Sequence, residues 1–170
     1  MTRDPLDVLR LPGVPIQPRT AFAEALWRRM SGGQEADEGS ATIRYFVDDL
    51  DRAIAFYRDQ LGFEQELLDP SPTFAMLYRG ELRLLLSVPG EPHALPDGTL
   101  PEPGGWNRIS LRVSNLNATV AALRAGGVAF RRGITAGVAV DTALLTDPSG
   151  NPVELFEARA GYHERTTTKE

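Results

Sequence analysis

An internal repeat limits what this chain can fold into more than any other sequence feature. The segment 47–55 (VDDLDRAIA) returns as 113–121 (VSNLNATVA), at a constant separation of 66 residues. Each copy follows an alternating apolar segment, contains polar residues suited to a helix N-cap, and continues as an amphipathic helix that ends near glycine. Such a repeat indicates one supersecondary unit used twice, with a ligand cavity where the copies meet.

The first unit is predicted to contain a strand, a helix and three further strands. Alternating apolar residues favour a strand over 41–47. Asp48 or Asp49 is suited to cap the helix that follows, and Gly62 is suited to its left-handed exit. The remaining strands are expected at 64–68, 73–78 and 82–87.

The second unit follows the same plan. A strand is expected over 107–113, and Asn115 is suited to cap a helix that ends at 126–127. Further strands are expected at 128–131, 138–145 and 153–157. Residues 89–105 hold five prolines and four glycines, which predicts a loop between the units. The predicted fold class is therefore α+β, with two βαβββ modules at 41–88 and 106–158.

Residues 1–40 differ from the repeat in composition. A proline-rich segment precedes a short helical pattern that places Phe22, Leu26 and Met30 on one face, and a Gly/Ser linker follows. Either this helical extension is loosely attached, or its apolar face packs on the domain or on a partner subunit. Residues 159–170 are expected to form a polar, frayed tail.

The bulk composition excludes several classes of function. The 170-residue chain has 42% apolar and 24% charged residues, which is typical of a globular domain. Its net charge of −5 disfavours a nucleic-acid partner, and it lacks an apolar run near the ~20 residues that span a membrane. The absence of cysteine excludes disulfides and fits the cytoplasm. A phosphate-binding loop, a nucleophile elbow and a suitably placed lysine are also missing.

Three motifs resemble those of the vicinal oxygen chelate superfamily, which includes glyoxalase I, bleomycin-resistance proteins and extradiol dioxygenases. They are Phe46–Leu50 (FVDDL), Phe56–Phe63 (FYRDQLGF) and Asp147–Leu155 (DPSGNPVEL). The resemblance covers residues 41–157. It implies paired modules that form curved mixed sheets around a ligand cavity, usually within a homodimer.

Metal-using members of this superfamily carry ligands on the first and last strand of each module. Matched through the flanking motifs, these positions fall on Thr42, Leu84, Arg108 and Glu154. Only Glu154 is a good ligand for a divalent cation, whereas a catalytic metal needs about three protein ligands. His93 and His163 lie away from the motif positions in the sequence. We therefore expect neither a metal nor another cofactor.

Arg108 and Glu154 are expected to point to the same place, so a guanidinium would stand where a cation binds in relatives. One interpretation is an internal ion pair that fills the former metal site. The other is that Arg108 also anchors an anionic or carbonyl group of a ligand. Further residues expected to line the cavity are Thr42, Arg44, Phe46, Leu84, Trp106, Ser110, Arg112 and Phe156.

These observations favour a small-molecule-binding protein of the bleomycin-resistance type, which sequesters a ligand in the cleft between the modules and serves in antibiotic resistance. One alternative is a lyase, isomerase or dioxygenase of the same superfamily with Glu154 as its catalytic residue. Another is an interaction or sensor protein that recruits a partner through residues 1–40. The choice rests partly on family analogy, because fold alone does not determine function.

Overall fold

A computed structural model of the chain describes residues 41–68 and 73–159. The expectations for residues 1–40 lie outside the described part, as do those for the tail beyond Arg159. Within the described residues, the chain forms two βαβββ modules joined by the loop 88–108. The predicted α+β fold class is confirmed.

The first module consists of β1 (Thr42–Phe46), α1 (Leu50–Ala55), β2 (Glu64–Leu68), β3 (Phe74–Arg79) and β4 (Leu82–Ser87). Helix α1 continues as a π-helical turn over Phe56–Gln60. The second module consists of β5 (Ile109–Arg112), α2 (Leu116–Ala125), β6 (Phe130–Thr135), β7 (Val140–Thr146) and β8 (Pro152–Ala158). In the loop between the modules, Glu91–His93 forms one 3-10 turn.

Each module folds into one four-stranded mixed sheet, with the orders β1-β4-β3-β2 and β5-β8-β7-β6. The first and last strands of each module are parallel, and the other neighbours are antiparallel. Ile43 pairs with Leu84 in the first sheet, as Ile109 pairs with Val153 in the second. The two modules are therefore built to the same register.

The helix ends follow the sequence expectations. The Asp49 side chain accepts a hydrogen bond from the Arg52 amide, and the Asn115 side chain accepts one from the Ala118 amide. Both caps satisfy amides that have no partner within the helix. Gly62 leaves α1 with a φ of 69°, a conformation that favours glycine.

Both helices pack on the same side of the two sheets and share one hydrophobic core. Ile54 and Leu61 of the first module and Val120 and Leu123 of the second contribute to it. Strand residues under the helices complete this core: Tyr45, Val47, Leu84, Leu86, Ile109, Leu111, Val153 and Leu155. Burial of this apolar surface supplies the main driving force for folding.

The turn 147–151 joins the two modules. The carboxylate of Asp147 accepts hydrogen bonds from the Tyr57 hydroxyl (3.1 Å), the amides of Ser149 and Asn151, and the Asn151 side chain. The Asn151 side chain also donates to the Phe46 carbonyl at 2.8 Å. Burial raises the pKa of the Asp147 carboxyl, although these hydrogen bonds oppose the shift.

A second link runs through Tyr45. Its buried hydroxyl accepts a hydrogen bond from the Ile109 amide at 2.8 Å and donates one to the Pro152 carbonyl at 2.9 Å. The first strand of one module is thereby joined to the first and last strands of the other. Tyr45 and Tyr57 thus each supply a buried polar link between the modules.

Strand β6 departs furthest from the sequence expectation. Strand β6 runs over Phe130–Thr135, whereas alternation favoured 128–131. Its pairing with β7 shifts register twice, between Phe130 and Arg132 and between Arg132 and Thr135. Such irregularities break the two-residue period on which the sequence expectation depends.

We expect Tyr57→Phe to lower the free energy of unfolding by about 2 kcal/mol, because it removes a buried donor to a carboxylate. Chemical denaturation of the full chain measures this change. Tyr78→Phe is the matched control, since the Tyr78 hydroxyl donates to Glu64 in an exposed pair. Equal stabilities of the two variants would contradict the role given to Tyr57.

Candidate functional site

The two sheets leave one face uncovered by helices, which we call the open face. Alternation assigns residues to it, because neighbours in a strand point to opposite sides. In β5, Ile109 and Leu111 are buried under the helix, and Ser110 and Arg112 are exposed on the opposite side. In the first module, Arg44 and Phe46 occupy the open side of β1.

Glu154 is the centre of a polar cluster on the open face of the second module. Ser110 Oγ donates to Glu154 Oε1 at 3.0 Å, and Arg108 Nε donates to Oε2 at 3.3 Å. A terminal nitrogen of Arg132 lies 3.8 Å from the same Oε2 and donates to Thr142 Oγ1 at 3.3 Å. The predicted pairing of Arg108 with Glu154 is confirmed. We call Arg108, Ser110, Arg132 and Glu154 the Glu154 cluster.

The cluster places its carboxylate deeper than its cations. The Glu154 side chain is 15% exposed, compared with 37% for Arg108 and 50% for Arg132. Two guanidinium groups and one carboxylate leave a net positive charge that faces outward. Since guanidinium donors match carboxylate and phosphate oxygens, this arrangement suits an incoming oxyanion.

The expectation that Leu84 lines the cavity is wrong. Leu84 is fully buried in the core under the helices, as is Leu86. The strand register matches Leu85, not Leu84, with Glu154 of the second module. Leu85 pairs with Arg44 in the way that Glu154 pairs with Ser110. Positions 84, 85 and 86 are all leucine, so residue type alone did not show which of them lies on the face away from the helices.

His93 lies closer to the site than the sequence suggested. The 3-10 turn places its imidazole edge-on against Phe46, with ring centroids 5.1 Å apart. Burial lowers the pKa of His93, and the positive charge of Arg44 lowers it further. Its Nδ1 atom is buried and has no hydrogen-bond partner in the described part of the chain. His93 therefore contacts the first family motif at Phe46, although no described contact joins it to the four metal positions.

The other predicted residues lie around this centre without contacting Glu154 through a described hydrogen bond or ion pair. Thr42 is exposed at the start of β1, and Phe156 of β8 pairs with Arg112 at the end of β5. Trp106 is 77% exposed, and the Arg131 guanidinium lies 5.8 Å from its ring centroid. Their roles in ligand binding stay predictions.

Sequence reasoning missed Arg132, Leu85 and His93. Arg132 reaches Glu154 from a strand with two register shifts, so no simple alternation could place it there. His93 belongs to a proline-rich loop whose path has no periodic signal. Leu85 was one residue from the position chosen, within a run of leucines.

The residues at the four family metal positions do not fit a divalent cation. With the corrected register they are Thr42, Leu85, Arg108 and Glu154, of which only the carboxylate is a strong ligand. Within the described residues, no three His, Cys, Asp or Glu side chains come together in a group able to hold a metal. Glu154 Oε2 instead accepts a hydrogen bond from the Arg108 guanidinium.

A separate cavity of about 260 Å³ lies between the modules. Gln60, Arg79, Ser114 and Thr119 line it together with Arg112, the only predicted site residue among its described lining. Arg79 crosses the junction to donate to the Arg112 carbonyl at 3.3 Å. Because the Glu154 cluster does not line this cavity, the two locations can be tested separately.

The family model for the glyoxalase/bleomycin resistance protein/dioxygenase superfamily matches residues 39–155. The chain belongs to this superfamily. A search of curated proteins found no match. The search of the described residues for a helix long and apolar enough to cross a membrane also found none.

Solved structures of the superfamily share the fold. A superfamily member from Sphaerobacter thermophilus is 27% identical with a TM-score of 0.58, over 69% of this chain and 95% of that one. Lactoylglutathione lyase from Agrobacterium tumefaciens is 24% identical with a TM-score of 0.56, over 71% and 95%. TnmS3, an antibiotic-binding protein from Streptomyces sp. CB03234, is 23% identical with a TM-score of 0.57, over 74% and 100%.

We expect the His93 imidazole to titrate below the ordinary value of about 6.5. NMR titration of a His163→Gln background, which leaves His93 as the single histidine, measures this pKa. Arg44→Gln should raise it part of the way toward 6.5, because burial is the larger cause and persists. Arg52→Gln, on the exposed side of α1, is the control.

The same shift links His93 to stability. Its folded pKa lies below its unfolded pKa, so its contribution is complete above about pH 6.5 and is lost as the pH falls toward the folded value. A His93 pKa at or above 6.5, or one unaffected by Arg44→Gln, would contradict the packing described here.

Proposed function

We propose that this superfamily member is a small-molecule-binding protein that holds its ligand on the open face without a metal ion. The Glu154 cluster is the observation that carries the proposal. At the position where metal-using relatives need several ligands, this chain has one carboxylate, and two arginines are directed at that carboxylate. In this proposal, the ligand binds to arginine side chains instead of to a metal ion.

Arg108 has the geometry of a ligand anchor. Its Nε atom is engaged with Glu154, whereas its terminal nitrogens donate no hydrogen bond within the described residues. Glu154 thereby orients the guanidinium and leaves its outer donors for an anionic or carbonyl oxygen. Because the Arg108 side chain is partly exposed and has unused donors, we infer that it binds the ligand as well as balancing the charge of Glu154.

The enzyme alternative has less support from the geometry. Both oxygens of Glu154 accept hydrogen bonds, so the carboxylate is engaged as an acceptor from Ser110 and Arg108. A general base needs one oxygen directed at the proton it removes. We therefore assign Glu154 the role of orienting Arg108. Near-stoichiometric metal in the elemental analysis below would favour the enzyme alternative again.

TnmS3 supports the choice of ligands to test first, since it shares the fold and is an antibiotic-binding protein. The identity of 23% limits that support to the fold, so the argument for binding rests on the residues of this chain. A homodimer and a cytoplasmic location also belong to the proposal. Sedimentation of the full chain would test the first of these.

Two measurements test the proposed function. We expect elemental analysis of untagged protein, purified without chelator, to find far less than one metal ion per protomer. Added divalent ions should then leave the melting temperature unchanged. Near-stoichiometric metal would contradict the proposal and favour the enzyme alternative.

In a thermal-shift screen of antibiotics and planar metabolites, at least one compound should stabilise the chain. Arg108→Gln should weaken that shift, because it removes the outward guanidinium donors. Arg58→Gln is the control, since Arg58 pairs with Asp59 on the exposed helix surface. A shift unaffected by Arg108→Gln would mean that the Arg108–Glu154 pair only balances charge. A screen without any hit would contradict ligand binding.

A further inference from the structure

The internal repeat provides a comparison between the two halves of the open face. Equivalent positions of β1 and β5 are 66 residues apart, which matches Thr42 with Arg108 and Arg44 with Ser110. The strand pairings match Leu85 with Glu154. At the three positions of the Glu154 cluster that have an equivalent, the first module has no carboxylate and no arginine–carboxylate pair.

The first module instead offers an apolar surface. Leu85 is 5% exposed and pairs with Met76, which is 2% exposed, so both lie beneath the surface. On the same face of β1, Phe46 is partly exposed and packs against the edge of the His93 ring. Burial and the charge of Arg44 lower the pKa of His93, which favours its neutral imidazole. This half therefore presents the rings of Phe46 and His93, which suit the apolar body of a ligand.

The charges near the apolar half favour an anionic ligand, as the Glu154 cluster does. The only ion pair described on the open face of the first module joins Arg83 to Glu66, at 3.4 Å. Arg44 adds a positive charge close enough to His93 to lower its pKa. In a chain with a net charge of −5, Arg44, Arg108 and Arg132 outnumber Glu154 around Phe46 and the Glu154 cluster, so this part of the open face is locally positive. Such a local potential attracts anions and disfavours cations.

Resting on the proposed function, we infer that the ligand of the open face is an amphiphilic organic anion. Its carboxylate or other oxyanion head binds Arg108 and Arg132 on the second module, and its apolar body lies against Phe46 and His93 on the first. The divergence of the repeat into a charged half and an apolar half carries this inference.

The test compares naphthoate, its methyl ester and naphthylmethylamine, which share one aromatic body and differ in head-group charge. Titration calorimetry on the full chain should show naphthoate binding about tenfold more tightly than the ester, since hydrogen bonds to a charged group are involved. The amine should bind more weakly than either. Acetate, which lacks the body, should show no measurable binding.

Variants then test which half of the open face binds the head of the ligand and which binds its apolar body. Arg108→Gln and Arg132→Gln should each remove the preference for naphthoate over the ester, whereas Phe46→Ala should weaken both ligands equally. Arg58→Gln is the control. Circular dichroism and melting temperature establish that each variant folds, and two arginine variants keep the test informative if one does not.

Each contrary result has its own meaning. Equal binding of naphthoate and ester would overturn the anionic head while leaving small-molecule binding intact. Tightest binding of the amine would overturn the sign of the charge. If the antibiotic screen gives a hit but none of the naphthalene probes binds, the amphiphilic anion is wrong and the proposed function stands. Loss of binding in Arg79→Gln with Arg108→Gln unaffected would place the ligand in the cavity between the modules.

Discussion

The buried carboxylate of Asp147 holds the two modules in place, and the rest of the structure depends on it. It collects donors from its own turn and one from Tyr57 of the other module. An unsatisfied carboxylate in this position would be costly, so the donors and the carboxylate fix one another. Strand β8 begins directly after this turn at Pro152, and Glu154 is its third residue. The geometry of the candidate site therefore derives from the junction between the modules.

The two sides of the repeated unit have followed different constraints. Under the helices, equivalent residues of both modules are apolar, as with Leu84 and Val153, because both pack in the same core. On the open face the equivalents differ in kind, as with Leu85 and Glu154. The core side needs only volume and hydrophobicity to keep the fold. The open side was free to diverge, and there the chain gained its charged cluster.

The sequence predicted those features of the structure that a short motif specifies directly. The caps at Asp49 and Asn115 and the Arg108–Glu154 pair came from motifs with a direct physical reason, and the structure confirms them. The site assignment failed at Leu84, because the consecutive leucines at 84–86 place leucine on both faces of β4. Arg132 could not be found because register shifts in β6 break the alternation. His93 depends on a loop path that only long-range packing determines.

The end of the connection between the modules is fastened to the same turn that joins them. The Gly104 amide donates to Asn151 Oδ1 at 2.7 Å, and Arg131 donates to the Gly105 and Gly150 carbonyls. The φ angles of Gly104 and Gly105, 97° and 81°, favour glycine at both positions. The connection is thus no simple tether whose length determines the spacing of the modules. Its exposed middle, around Leu95 and Leu100, is where evolution or an engineer can lengthen the chain without displacing either half.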